Sequence, residues 1–186
     1  YREMMQAYED FRAQRSPRAL SSVGFRRYVE WAESRDIEAA AAFWAEELDG
    51  VELQVGIGLE SAPSSATTEK ASLGWALKAD EHAALARFAG RQRVALSTVV
   101  QAAWLYLLAR YRGSDTAITG ITLSGRPAEL EGVEAVVGML VNTVPLVAHV
   151  PYQATLADWL CSLQQRQQQR ESHGSLPLSE IVRRAG

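Results

Sequence analysis

The sequence predicts an α/β fold, because segments with helical periodicity alternate with short segments that favour strands. The clearest helix covers residues 97–112, where apolar side chains recur every three to four positions over a wide face. The clearest strand covers residues 115–123, which are rich in Ile and Thr, and a second extended run ends at Val150. A helix with so wide an apolar face is expected to pack against a sheet.

Helices are predicted for the first part of the chain. Apolar residues on one face predict a helix from about Tyr1 to Gln14, which ends before a Ser-Pro pair. Aromatic residues at helical spacing predict two more helices within residues 25–48. Residues 54–70 are rich in Gly, Ser, Thr and Pro, and we interpret them as an exposed connection.

The central part is predicted to hold a strand and two helices. Residues 71–77 favour a strand, and Asp80 is a suitable N-cap for the helix that follows. Ser97 is predicted to cap the next helix, and Gly113 to end it in its usual C-terminal role. Four residues at helical spacing are expected to form the core-facing stripe of this helix: Val100, Trp104, Leu108 and Tyr111.

The last part is predicted to contain a loop, a strand and two helices. A polar loop over residues 124–134 is followed by an extended run over residues 138–150. Thr155 begins a sequence that resembles a capping box and therefore predicts a helix. We interpret the glutamine-rich end of that helix as a solvated face, because arginines interrupt it. A short amphipathic helix is predicted over residues 178–184.

Composition excludes several classes of protein. Of the 186 residues, 47% are apolar and 22% are charged, which is ordinary for a globular domain. The formal net charge of −3 and the lack of a long basic cluster argue against nucleic acid as a partner. The longest apolar run, residues 136–150, is too short to cross a bilayer, so no membrane partner is predicted. A single cysteine, Cys161, excludes an internal disulfide and favours a cytoplasmic protein.

The residues alone predict no metal site, no directly bound cofactor and no catalytic residue in this chain. His82, His149 and His173 lack partners at metal-ligand spacing. The sequence holds no phosphate loop and no dinucleotide-binding motif. Both ends read as parts of helices without caps, so we expect the chain to be a piece of a longer protein.

Several motifs carry a resemblance to a known family. They are Ser124-Gly125-Arg126-Pro127, then Gly132-Val133-Glu134, then the stretch GMLVNTVPL from Gly138 to Leu146. In this order they resemble a signature of nonribosomal peptide synthetase condensation domains. Two further motifs of that family are similar to Phe25-x-x-Tyr28-x-x-Trp31 and His173-x-x-Leu176-Pro177-Leu178.

The resemblance implies a fold and a set of partners. Such domains look like chloramphenicol acetyltransferase, with two similar lobes and a tunnel between them. The implied fold class is an incomplete two-layer lobe of this type, in which residues 1–20 end the N-terminal lobe and residues 21–186 belong to the C-terminal lobe. The implied partners are donor and acceptor peptidyl carrier proteins with phosphopantetheine arms, an adjacent adenylation domain and the missing N-terminal lobe.

The resemblance also implies an activity and a site. The parent domain would be an acyltransferase that forms a peptide bond between two carrier-bound thioesters. The family's catalytic His-His-x-x-x-Asp-Gly is absent from this sequence and is expected upstream, so the chain alone is expected to be inactive. Five residues are implied to line the substrate tunnel: Asn142, Ser124, Gly125, Arg126 and Thr143.

The residues leave a second interpretation of Asn142 and Thr143 open. Both side chains can satisfy backbone groups where Pro145 interrupts the strand ladder. In the tunnel interpretation, Asn142 is instead a hydrogen-bond donor or acceptor on the acceptor side of the reaction. One departure from the family matters, because Val147 stands where an arginine is common. Two alternative functions are an epimerisation domain of the same fold and a non-catalytic module that docks carrier proteins.

Overall fold

The computed structural model describes residues 2–17, 24–51 and 72–185. Its contacts divide the chain into a smaller unit, Tyr1–Arg35 with Ser124–Val141, and a larger unit, Asp36–Leu123 with Asn142–Gly186. The elements follow in chain order: α1 (Arg2–Arg12), α2 (Phe25–Glu33), α3 (Ile37–Leu48), α4 (Ala79–Gln92), α5 (Leu96–Arg112), β1 (Thr116–Leu123), a short 3-10 helix (Val133–Ala135), β2 (Asn142–His149), α6 (Leu156–Ser172) and α7 (Leu178–Ala185). The predicted connection 54–70 lies outside the described residues.

The larger unit is built on a two-stranded antiparallel sheet covered by helices on both faces. The register runs from Thr116 opposite His149 to Leu123 opposite Asn142. At the end of the sheet where Thr116 lies opposite His149, alternation along the strands divides the side chains between two apolar clusters. Ala117 and its partner Ala148 pack in a cluster with α5 and α6 residues, whereas Ile118 and its partner Val147 pack against a cluster from α3 and α7. The α/β prediction is thereby confirmed.

The helix α4 begins one residue before its predicted cap. The Glu81 carboxylate accepts a hydrogen bond from the Lys78 backbone N–H at 2.8 Å, which satisfies one donor of the first turn. Asp80 therefore lies inside the first turn and is not the N-cap. Its negative charge still suits this position, because the N-terminal end of a helix dipole is positive.

The first turn of α5 is capped by a side chain from another helix. The helix starts at Leu96, so the prediction that Ser97 caps it is wrong. The amide oxygen of Gln164, on α6, accepts hydrogen bonds from the Ala95 backbone N–H at 2.9 Å and from the Thr98 hydroxyl at 2.8 Å. At the other end Gly113 has φ +63°, which confirms its predicted C-terminal role.

The core-facing side of α5 differs from the predicted stripe. Val100, Trp104 and Tyr111 are exposed, and only Leu108 of the predicted four is buried. The helix has apolar residues on more than one face, so periodicity alone did not identify the buried one. The buried side of the helix consists of Thr98, Ala102, Leu105, Leu108 and Ala109.

Two strand predictions need correction. Residues 72–78 belong to no helix or strand, and Leu73 and Trp75 are 97% and 81% exposed. A strand exists only as a ladder with a partner, and none of the described residues pairs with this segment. The extended run predicted over residues 138–150 is paired only from Asn142 onward. The predicted helices over 25–48 and 178–184 are confirmed.

The smaller unit has its own apolar cluster. Leu130, Val133, Val136 and Leu140 are buried, and Tyr28 and Trp31 of α2 pack against them. The aromatic rings of Tyr28 and Trp31 are stacked with centroids 5.8 Å apart. The aromatic motif of α2 therefore serves as the partner of the chain segment that follows the Ser-Gly-Arg loop.

Candidate functional site

The Ser124–Arg126 loop in the smaller unit is held by a glycine and an arginine. Gly125 has φ +62°, and a Cβ placed on it would overlap the Leu140 carbonyl oxygen, so a side chain is excluded for two reasons. Arg126 donates from Nη1 to the Val133 carbonyl and from Nη2 to the Val136 carbonyl at 3.3 Å. The planar guanidinium thus braces both ends of the 3-10 helix, as its fork of donors predicts.

The segment between this helix and β2 is only partly buried. Val136 and Leu140 are buried, whereas Val137, Met139 and Val141 are exposed. A Cβ on Gly138 would overlap the Phe25 ring, so the absence of a side chain brings the segment against α2. The Tyr28 hydroxyl also donates to the Leu140 carbonyl at 3.4 Å. Burial raises the pKa of Tyr28, which keeps this hydroxyl protonated as a donor.

Asn142 begins β2 and fastens it to the turn between α6 and α7. Its Nδ2 donates to the Gly174 carbonyl at 2.8 Å and to the Leu176 carbonyl at 2.7 Å. Both side-chain N–H bonds are therefore used within the larger unit. Most side-chain hydrogen bonds in proteins go to backbone groups, and Asn142 follows this rule.

The same turn is held from α3. The Trp44 indole N–H donates to the His173 carbonyl at 3.0 Å, and the Phe43 ring stacks on the His173 imidazole with centroids 4.6 Å apart. Gly174 is buried, and a Cβ on it would overlap the Leu123 Cδ1 atom. The turn is thus fixed by a hydrogen bond from one helix, a ring contact and a close approach to β1.

Thr143 and Ser124 have weaker ties than their neighbours. Thr143 is exposed and lies opposite Thr122 in the sheet. The Ser124 hydroxyl accepts a hydrogen bond from the Arg126 backbone N–H at 3.4 Å, close to the distance limit for such a bond. Ser124, Gly125 and Arg126 belong to the smaller unit, and Asn142 and Thr143 to the larger one. Their implied place in a substrate tunnel stays a prediction.

A buried ion pair was missed in the sequence. Arg170 is 1% exposed, and its Nε donates to the Glu47 carboxylate at 2.8 Å while Nη2 contacts the same carboxylate and the Val147 carbonyl. Burial lowers the pKa of Arg170, and the charge of Glu47 offsets this only in part. Arg170 lies in the glutamine-rich stretch that we interpreted as a solvated face, so that interpretation is wrong at Arg170, and the arginines that interrupt the stretch were its only signal.

Two kinds of site are not found among the described residues. No group of three or more His, Cys, Asp or Glu side chains there is placed to hold a metal ion. In the same ranges, no single helix is long and apolar enough to cross a membrane. Only α4 and α5 taken together reach that length and composition, and they are bent by 100°.

Known structures share the fold of this chain. The first condensation domain of the CDA synthetase superimposes with a TM-score of 0.74 at 20% identity, over 97% of this chain and 41% of that one. The X-domain from teicoplanin biosynthesis superimposes with a TM-score of 0.78 at 24% identity, over 97% of this chain and 42% of that one. The fold is therefore that of condensation domains, and the predicted class, a partial lobe of the chloramphenicol-acetyltransferase type, is confirmed.

The family follows from the sequence comparison. The family model described as "Condensation domain" matches residues 1–186, and the chain belongs to that family. A linear gramicidin synthase protein from Brevibacillus parabrevis is 36% identical over 159 residues, which is 84% of this chain and 3% of that protein. Surfactin synthase subunit 3 from Bacillus subtilis is 33% identical over 184 residues, which is 98% of this chain and 14% of that protein. The chain thus spans a small part of these relatives.

Proposed function

We propose that the chain is part of a condensation domain that joins two carrier-bound thioesters through a peptide bond. The family match over the whole chain carries this proposal. It is supported by relatives whose names describe them as gramicidin and surfactin synthases. The geometry adds that both signature segments are rigidly held, the Ser-Gly-Arg loop through Arg126 and the Asn-Thr strand through Asn142.

In the proposed reaction the acceptor's amine nitrogen attacks the carbonyl carbon of the donor thioester. A C–N bond forms and the C–S bond breaks. One amine proton leaves the nitrogen, and the released thiol of the donor carrier takes up a proton in balance. The histidine that would assist the proton transfer belongs to the motif expected upstream, so this chain would supply structural support and one side of the substrate site.

The proposed partners are a donor and an acceptor carrier protein, each with its thioester on a phosphopantetheine arm, together with an adjacent adenylation domain and the N-terminal lobe. No directly bound cofactor is proposed. A cytoplasmic location, predicted from the single cysteine, stays a prediction. So does the division into residues 1–20 of one lobe and 21–186 of the other.

The test uses the full-length polypeptide that contains this chain, with both carrier proteins loaded with aminoacyl groups. Mass spectrometry of the acceptor carrier is expected to show a dipeptidyl thioester. The isolated 186-residue chain is the control and is expected to give none. Inversion of the donor amino acid without condensation would favour an epimerisation domain. Carrier binding without any turnover would favour a non-catalytic docking module.

A further inference from the structure

Residues 72–78 form an exposed segment of the larger unit that precedes α4. The segment contains no turn or bend, and every one of its residues is exposed. Among the described residues, its only backbone hydrogen bonds are those of Lys78, with the Glu81 side chain and the His82 backbone N–H. As far as the described part of the chain goes, the N–H and C=O groups of residues 72–77 are open to a strand ladder, as on the edge of a sheet.

The sequence of this segment, SLGWALK, is nearly symmetrical about Trp75. Small residues flank the tryptophan, with Gly74 before it and Ala76 after it, and a leucine stands one position further out on each side. Side chains alternate between the two faces of a strand, so the tryptophan shares one face with both leucines. An antiparallel pair of two such segments, centred on Trp75, therefore places like residues opposite each other. This symmetry is what a twofold contact between identical chains requires.

We propose that residues 72–78 are an interface at which two copies of this chain pair as antiparallel strands. Leu73 of each copy lies opposite Leu77 of the other, and the two Trp75 side chains meet at the twofold axis. The six apolar side chains then form one cluster on the same face of the pair. Leu73 and Trp75, which are 97% and 81% exposed in the single chain, are thereby removed from water. The interface uses no substrate, so it is independent of the proposed function.

Charge and geometry favour the antiparallel direction. A parallel pair in register would place Lys78 directly opposite Lys78 of the second copy, and like charges in that position destabilise a strand pair. In the antiparallel pair Lys78 lies opposite Ser72, and the two lysines are about 20 Å apart, the length of a seven-residue strand. The two copies of α4 leave the pair at opposite ends. Two segments of this length bury less area than a standard interface, so the dimer is weak and reversible.

The experiment uses the 186-residue chain with Cys161→Ser and Trp104→Arg as its background. The first substitution removes the single cysteine, which is exposed. The second places a charge on the exposed apolar side of α5, so that association through this helix does not contribute. In this background one variant carries Gly74→Cys and the other carries Ala76→Cys.

Mixing the two cysteine variants under mild oxidation tests the register. Gly74 and Ala76 lie directly opposite in the proposed pair, with Cα atoms about 4.5–5.5 Å apart, which a disulfide can span. We expect the mixture to give a disulfide-linked dimer of one variant with the other. Each variant alone is expected to lose this product, because its two cysteines are then diagonal, about 7–8 Å apart. Equal cross-linking in the mixture and in the separate variants would overturn the proposal.

Sedimentation of the background chain over a concentration series measures the dimer. Trp75→Ser is expected to raise the dimer Kd by about tenfold or more, because this central aromatic residue occurs twice in the interface. Tyr152→Ser also removes an exposed aromatic side chain and is expected to leave the Kd unchanged. Both residues are exposed, so circular dichroism is expected to show both variants folded. A background chain that stays monomeric, or that forms only species larger than a dimer, would contradict the proposal.

Discussion

Gly174 helps to fix the position of the turn between α6 and α7, because it has no side chain. It is buried in the turn that Asn142 and Trp44 hold, and its Cα faces the Leu123 side chain at the end of β1. The Arg170 carbonyl oxygen lies 3.1 Å from the position that a Cβ would occupy. A backbone atom cannot move aside as a flexible side chain can, so any residue larger than glycine displaces the turn.

Gly174→Ala is therefore expected to destabilise the fold by about 1–3 kcal/mol, the usual effect of adding a methyl group to a packed site. Urea denaturation followed by circular dichroism measures the change. Gly90→Ala is the matched control, because Gly90 lies within α4 with open space around its Cα. That variant is expected to gain up to about 1 kcal/mol from higher helix propensity. Equal stability of both variants would contradict the close approach.

The buried guanidinium of Arg170, on α6, joins this helix to Glu47 on α3 and to the Val147 carbonyl on β2. Arg170 and Glu47 are 1% and 8% exposed, and Arg166 approaches the same carboxylate at 3.5 Å. A buried ion pair gains little net stability, because desolvation of both charges offsets their attraction. Loss of one partner is costly, because it leaves the other charge in the apolar interior.

Arg170→Met is expected to destabilise the protein by about 3–5 kcal/mol, because Glu47 would remain buried with only Arg166 nearby. The double variant Arg170→Met with Glu47→Leu is expected to recover most of this loss. Chemical denaturation of the wild type, both single variants and the double variant completes the cycle. Additive losses would show that the two side chains do not interact.

The contribution of the last helix, α7, to stability is expected to fall in acid. Hydrogen bonds from Arg183 and Arg184 lower the pKa of Glu180 from 4.5 to about 2. A lowered folded-state pKa means that the contribution of Glu180 to stability is complete above its unfolded pKa, near 4.5. It is then lost as the pH falls toward about 2.

Glu180→Gln is expected to make the stability less dependent on pH between these two values. Thermal unfolding at several pH values measures the slope, and added salt is expected to weaken the effect because the pair is at the surface. Glu129→Gln, an exposed acid in the loop after β1, is the matched control. A wild-type slope in Glu180→Gln would exclude Glu180 as its source.

For the molecule as a whole, sequence reasoning succeeded where the cause was local. The helix end at Gly113 and the Thr155 cap both depend on groups within a few residues. It failed where the partner is distant along the chain. The acceptors of Asn142 lie 32 and 34 residues away, and the partner of Arg170 lies 123 residues away. No periodicity encodes such pairings.

The exposed face of α5 gives a prediction for the isolated chain. Val100, Trp104 and Tyr111 form an apolar stripe that is about half exposed, at 59%, 52% and 61%. We expect two copies of the isolated chain to cover this stripe reversibly at raised concentration, because exposed apolar patches of this kind favour association. Analytical ultracentrifugation over a concentration series measures it.

Trp104→Arg is expected to shift that equilibrium toward monomer. Tyr152→Arg, which changes an exposed aromatic residue outside α5, is expected to leave it unchanged. A wild-type chain that stays monomeric at every concentration would contradict the prediction, as would equal effects of the two substitutions.

The cap that Gln164 supplies to α5 has a consequence for synthesis of the chain. Its two hydrogen-bond partners, Ala95 and Thr98, are made 69 and 66 residues earlier. At ordinary rates of translation that interval lasts about 3–14 s. During this time the first turn of α5 has no long-range cap and is free to fray. The substitution Ala95→Ser would supply a local N-cap as soon as this turn is synthesised. The delay therefore results from the position of Gln164 in the sequence.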